Sequence, residues 1–148
     1  MSFTQLLYHI VFCTKERSPV IPNDKSSELY KYIWGNIKNH NCHLYRINGM
    51  EEHIHILTDL HPSVRLDDFI KSIKVSSSKW LKANNDFPLF SGWADKYAAF
   101  TISFRDKEKV IEYIRNQREH HKKVSFFNEY KKFLIDNGIE FNEKYLLK

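Results

Sequence analysis

The chain of 148 residues contains no apolar run of about 18 residues, so nothing in it reads as a membrane span. Its first residues, MSFTQLLYHIVFCTKER, have no basic segment before the apolar stretch and no small-residue cleavage site after it. They read as a strand, not as a signal peptide, and the protein is expected in the cytoplasm. There are only two cysteines, Cys13 and Cys42, which form neither a disulfide framework nor a CxxC metal pair. Glycine and proline are scarce, at four each, while Phe, Tyr and Trp number eleven, eight and three, which argues against disorder. No repeat, low-complexity tract or Ser/Gly linker divides the sequence. One domain over residues 1–148 is expected, and the apolar fraction of 42% is enough for one core.

The formal net charge is +5, and it is unevenly placed. Six basic side chains cancel six acidic ones in residues 1–59, while residues 60–148 hold seventeen against twelve. A basic half suggests a polyanionic partner, nucleic acid first, although a solvated lysine surface would give the same balance.

Hydrophobic patterning gives the element order β-α-β-β-α-β-α. Leu6–Thr14 reads as a buried strand. Ser26 or Ser27 caps a helix to about Asn39, with Leu29, Ile33, Trp34 and Ile37 on one face. Cys42–Asn48 and His53–Leu60, joined by a turn at Gly49–Glu52, should pair as a hairpin. A long helix follows over about Val64–Lys82, with Phe69, Ile73, Ser77 and Trp80 on one side and Lys71, Lys74, Ser78 and Lys82 on the other. Tyr97–Phe104 is a fourth strand. Asp106 caps a helix to about His121, with Val110, Ile111 and Ile114 as its stripe. A last helix from Ser125 places Phe127, Tyr130, Phe133 and Leu134 before Gly138. The first six elements form the ferredoxin-like (RRM-like) α+β pattern, an antiparallel sheet with helices on one face and the other face free, here with a C-terminal helical tail.

His53-Ile54-His55 is the sharpest local feature. Strand side chains alternate, so both imidazoles point one way and can share a metal ion, while Ile54 and Ile56 point into the core. Two half-exposed histidines on an amphipathic strand would look the same. A metal needs further ligands, and the helix before residue 121 offers Tyr113, Gln117, His120 and His121. Tyr113 and Gln117 are one turn apart on the same face, so Gln117 could give a neutral oxygen and Tyr113 a phenol nearby. The bland alternative packs Tyr113 at the core edge and leaves Gln117 exposed.

HIH in a strand followed by YIRNQ in a helix resembles the single-tyrosine HUH transposases. These are the TnpA-type enzymes of small insertion sequences that move as single-stranded DNA, and their domesticated relatives. YHIVFCTKER, MEEHIHIL and WADKYAAFTIS are also similar to that family. The likeness covers about Gln5 to His121, a core of about 5–121, and leaves 122–148 as a C-terminal helical extension without a motif, which would pack in a dimer or cover the sheet. It implies that Tyr113 attacks a DNA phosphodiester to form a 5′-phosphotyrosine and a free 3′-OH. It implies a divalent cation, magnesium or manganese, on His53, His55 and Gln117; in this sequence His120 and His121 could compete with Gln117 as third ligand. It implies a homodimer in which the tyrosine helix completes the partner's site, a hairpin-bearing single-stranded DNA as substrate, and work at the nucleoid. The residue before HIH is commonly Asp, and Glu52 stands there.

The basic residues then gain a location. Lys71, Lys74, Lys79 and Lys82 make a stripe with no acid in residues 69–85. Arg115, Arg118, Lys122 and Lys123 flank Tyr113, and Lys15 and Arg17 follow the first strand. Any of these could neutralise DNA phosphates, and nearby aromatics could stack on unpaired bases. Two competing readings remain. One is a nucleic-acid-binding module without catalysis. The other is a histidine-based phosphoesterase, against which Leu57 breaks an HxHxH pattern and no second H-x-T/S motif is present.

Overall fold

A computed structural model describes residues 2–146. Its regular elements are β1 (Leu7–Cys13), α1 (Ser26–Asn39), β2 (Leu44–Gly49), β3 (His53–Asp59), α2 (Leu66–Lys82), β4 (Ala98–Ile102), α3 (Lys107–Arg115), α4 (Gln117–His120) and α5 (Phe126–Asp136). The four strands form one sheet in the order β2-β3-β1-β4, every neighbouring pair antiparallel. This is the ferredoxin-like arrangement, with β1 and β3 central. Among the described residues no helix is long and apolar enough to cross a membrane.

Strand alternation sends Ile10, Phe12, Ile54 and Ile56 to one face, where they pack with Leu29, Ile33, Phe69 and Ile73 from α1 and α2. Trp34, expected in that core, is instead 48% exposed and lies under the Lys38 ammonium, 4.6 Å from the ring centroid. Ser26 does not cap α1 through its side chain. Its hydroxyl donates to the Asn23 carbonyl (2.8 Å), and Lys25 holds the N-cap position. Gly49 closes the β2–β3 turn where a Cβ would lie 2.1 Å from the His53 carbonyl oxygen, so only glycine fits.

The opposite face of the sheet is not free. It carries Val11, Cys13, Ala98 and Phe100, and leaving those in water would cost the gain from burying them. Phe126, Tyr130 and Leu134 of α5, with Leu146, cover that apolar half. Ser125 caps α5 by accepting from the Asn128 amide (3.2 Å), and Gly138 ends it at φ +68°. The helix expected from Asp106 to His121 is broken. A 3-10 turn at Phe104–Asp106 leads into α3, and Asn116 (φ −94°, ψ 21°) separates α3 from α4. The Asn48 side chain donates to the Ile114 and Arg115 carbonyls, each at 3.1 Å, and pins the end of α3 to β2. Asp106 forms no side-chain cap, and of the expected α3 stripe only Ile114 is fully buried.

Candidate active site

The other part of the second face is polar, and it is built from the histidines. His53 and His55 are completely buried on β3, and His9 of β1 lies beside them at 2% exposure. His9 Nε2 is 2.9 Å from His55 Nδ1. α3 and α4 bring Tyr113 and Gln117 to this face. The helix α5 brings Glu129, a carboxylate only 3% exposed.

Proton arithmetic defines what these rings present. Glu52 Oε1 accepts from His53 Nδ1 at 2.5 Å, and the Val124 carbonyl accepts from His121 Nδ1 at 2.8 Å. Both acceptors require the proton on Nδ1, so in the neutral rings Nε2 carries a lone pair. Those lone pairs face oxygens. His53 Nε2 lies 3.2 Å from Gln117 Oε1 and 3.5 Å from Glu129 Oε1. His121 Nε2 lies 2.9 Å from the same amide oxygen and 3.1 Å from the same carboxylate oxygen. His55 Nε2 is 3.0 Å from Glu129 Oε1. Acceptors aimed at acceptors are satisfied by a shared cation, either a proton on a ring or a metal ion among them.

Geometry agrees with a metal. Donors around one small octahedral cation at about 2.1 Å stand about 3.0 Å apart along each edge. One donor atom from each of His53, His55, His121 and Glu129 lies within 4.8 Å of the other three. Outer partners on Nδ1 are also what metal-binding imidazoles use to fix their orientation. Glu52, the departure from the usual Asp, supplies that carboxylate to His53. The residues present therefore fit a divalent ion.

Tyr113 reaches the same carboxylate. Its hydroxyl donates to Glu129 Oε2 and lies 3.2 Å from His120 Nε2, and its ring centroid is 5.9 Å from that of His55. Burial first, and then the Glu129 charge, push the phenol well above its usual range near ~10. Glu129 is held well below the usual carboxylate range. Burial alone would raise it, but the close contacts with His121 and His55, which stabilise the carboxylate when a ring is protonated, outweigh burial. His55 is lowered to about 4 and His9 to about 3, in both cases chiefly by burial. His121 is raised, because its contact with Glu129 outweighs its burial.

Of the residues expected from sequence, His53, His55, Gln117 and Tyr113 come together. His121 joins their centre, and His120 stays at its edge beside Tyr113. Gln117 is fully buried, not exposed. The basic residues lie elsewhere. Lys71, Lys79 and Lys82 are exposed along α2 and line a groove against the loop Gly92–Tyr97. Lys74 is half-buried, and its ammonium donates to the Ala94 (2.7 Å), Asp95 (3.2 Å) and Lys96 (3.4 Å) carbonyls. Lys15 and Arg17 sit on the turn after β1, with the Arg17 guanidinium 6.0 Å from the Phe127 ring centroid. Arg115 pairs with Glu112 at 2.5 Å. Sequence reasoning missed His9 and Glu129. Both had a signal, since each is a polar residue on an apolar face, His9 between Leu7 and Val11, and Glu129 between Phe126 and Tyr130.

A ferredoxin-like sheet thus carries a buried histidine pair with an amide and a tyrosine beside it. The family described as "Transposase IS200 like" matches residues 2–117. The chain therefore belongs to the IS200-like transposases, metal-dependent tyrosine enzymes that act on single-stranded DNA. It is 24% identical to the ISDra2 transposase TnpA of Deinococcus radiodurans over 122 residues, 78% of this chain and 86% of that protein. A solved structure of a candidate transposase from Deinococcus radiodurans R1 aligns with a TM-score of 0.59 at 24% identity, covering 78% of this chain and 93% of the other. A REP-associated tyrosine transposase, solved bound to a REP hairpin, aligns with a TM-score of 0.60 at 16% identity, covering 84% and 76%.

Proposed function

We propose that Tyr113 is the residue through which this chain cuts and rejoins single-stranded DNA. The Tyr113 oxygen attacks a backbone phosphorus. The Tyr113 O–P bond forms, the P–O3′ bond breaks, and the departing 3′ oxygen takes up a proton. The DNA is then held as a 5′-phosphotyrosine, and attack by a 3′-OH reverses the step and rejoins a strand. The observation that carries this reading is the hydrogen bond from the Tyr113 hydroxyl to Glu129, the carboxylate that also faces His55 at 3.0 Å. Since the phenol stays protonated at rest, its proton must leave as the bond to phosphorus forms, and Glu129 Oε2 is the acceptor already in place.

His53, His55 and Gln117 would hold a divalent ion, magnesium or manganese, which would supply positive charge to offset that of the phosphate under attack. Glu52 and His9 keep the two imidazoles in register. The side chains that bind DNA are Lys15, Arg17, Lys71, Lys79, Lys82 and Arg115. Lys74 serves the same surface from behind, by fixing the loop that forms the other wall of the groove. The substrate is a single strand with a hairpin, in keeping with the hairpin bound by the REP-associated relative. The work is done in the cytoplasm, at the nucleoid, by one domain spanning residues 1–148.

The test is incubation with labelled single-stranded DNA from the flanks of the protein's own gene, plus manganese. A covalent adduct that survives denaturation and disappears in Tyr113→Phe is the expected result. Binding without an adduct across several strands and ions would overturn the catalytic reading in favour of a binding module. A homodimer belongs to the same proposal, and mixing Tyr113→Phe chains with His55→Ala chains reads whose site each tyrosine serves. Recovery of the adduct means exchange between subunits. No recovery means that Tyr113 serves its own chain, as the 5.9 Å approach of its ring to His55 in one chain favours.

A further inference from the structure

Two donors in the histidine centre have no part in the His53, His55 and Gln117 set. They are His121 and Glu129, and both lie beyond the segment matched to the family, residues 2–117. We propose that His121 Nε2 and Glu129 Oε1 are ligands of the same divalent ion, so that the centre has three imidazoles, one amide oxygen and one carboxylate. The inference rests on the proposed metal-assisted reading of the site.

The construction of His121 repeats that of His53. One ring nitrogen is tied to a fixed acceptor outside the centre, Glu52 for His53 and the Val124 carbonyl for His121. The other nitrogen is aimed at the same two oxygens, Gln117 Oε1 and Glu129 Oε1. A side chain that merely filled space would not need its outer nitrogen fixed. His120, its neighbour, has no such outer anchor, is more exposed, and turns its Nε2 toward Tyr113 and Glu129 Oε2.

Glu129 is divided between two tasks by its two oxygens. Oε1 faces the three Nε2 atoms of His53, His55 and His121 at 3.5, 3.0 and 3.1 Å. Oε2 faces the Tyr113 hydroxyl and the Gln117 amide nitrogen, the latter at 3.2 Å. A buried carboxylate needs compensating charge, and a divalent ion on Oε1 supplies it. The set also bears on the choice of ion. Two imidazoles and one amide suit a magnesium ion poorly, because that ion prefers oxygen ligands. A third nitrogen and one anionic oxygen make a mixed set suited to manganese, so manganese is expected to bind more tightly than magnesium.

Direct ion binding tests this, with no DNA present. Titration calorimetry with MnCl₂ on the full chain should show one site, at least about tenfold weakened in Glu129→Gln and in His121→Gln. Circular dichroism in EDTA checks that each variant is folded. Pulsed electron paramagnetic resonance of the Mn(II)-loaded wild-type protein, labelled with ¹⁵N-histidine, counts coordinated imidazoles without any substitution, and should count three. Two imidazoles, or unchanged affinity in a folded Glu129→Gln, would overturn the proposal, as would absence of manganese binding at millimolar concentration. If the ion binds as expected but no DNA adduct forms, the ligand set stands and the nuclease reading fails. If the adduct forms while Glu129 and His121 leave ion affinity untouched, the nuclease reading stands and this inference fails.

Discussion

His9 is buried at 2% exposure as a neutral ring, lowered to about 3 by burial and by the neighbouring His55, and that has a cost in acid. In the unfolded chain a histidine binds a proton near pH 6.5, whereas the folded protein refuses it down to about 3. The unfolded state therefore holds more protons between those values, and stability must fall as pH drops through that window and be fully regained above it. At pH 5, about 1.5 pH units below the unfolded value, one such site costs about 2 kcal/mol relative to pH 7.5. His9→Gln removes the titrating ring and keeps a hydrogen-bonding group toward His55 Nδ1. Urea unfolding in EDTA at pH 7.5 and pH 5 is the assay. The wild-type protein should lose about 2 kcal/mol more than the variant across that interval, a difference of about 1 M in the shift of the midpoint. The shifts of His55 and Glu129 also destabilise in acid, but both groups remain in the variant, so the comparison isolates His9 together with its coupling to His55. Equal losses within about 0.5 kcal/mol would mean that His9 is solvated or paired differently from the structure, and would refute the argument.

Other consequences are as direct. Gly49→Ala sets a methyl against the His53 carbonyl oxygen, so the hairpin must shift at the strand that bears both histidines; thermal unfolding should show a loss of several degrees, and manganese affinity should fall with it. Lys79→Ala and Lys82→Ala should each lower the salt dependence of single-strand binding by about one counterion. Lys74→Met, in contrast, should cost about 1–2 kcal/mol of stability through the lost bonds to the loop, chiefly the part-buried one to the Ala94 carbonyl, and change the salt slope little, as read by urea unfolding and filter binding. Phe126→Ala removes the ring stacked 4.0 Å from that of His53 and opens a cavity above it; it should destabilise the protein by about 3–5 kcal/mol in urea unfolding.

Most of the scaffold was readable because strand alternation and helix spacing are local. Ile54 and Ile56 had to face α1 and α2, and that alone sent His53 and His55 to the other side. The break at Asn116 was not readable, since it depends on Asn48, a residue of β2 that reaches two carbonyls 66 and 67 positions away. The covering of the second face was hidden for a related reason. Phe126, Tyr130 and Leu134 declare an apolar stripe, but a stripe does not state which surface it will meet. Glu129 interrupts that stripe, and its meaning appears only when three imidazoles from other elements surround it. The lysines illustrate the opposite limit, because Lys71 and Lys74 share one helix face in sequence yet one is exposed and the other is bound to backbone.

The bond between Glu129 and His55 spans 74 positions of sequence. A ribosome adding about 5–20 residues each second takes about 4–15 s to travel that distance. Throughout that interval the nascent chain already has its β3 histidines, and for much of it Tyr113 is still unmade. The proposed chemistry thus has a birth order: histidine strand first, Tyr113 next, Glu129 last. A polypeptide released early, by a stalled ribosome or a premature stop after Tyr113, would have the tyrosine without the carboxylate proposed here to take its proton, and on that reading could not cut DNA.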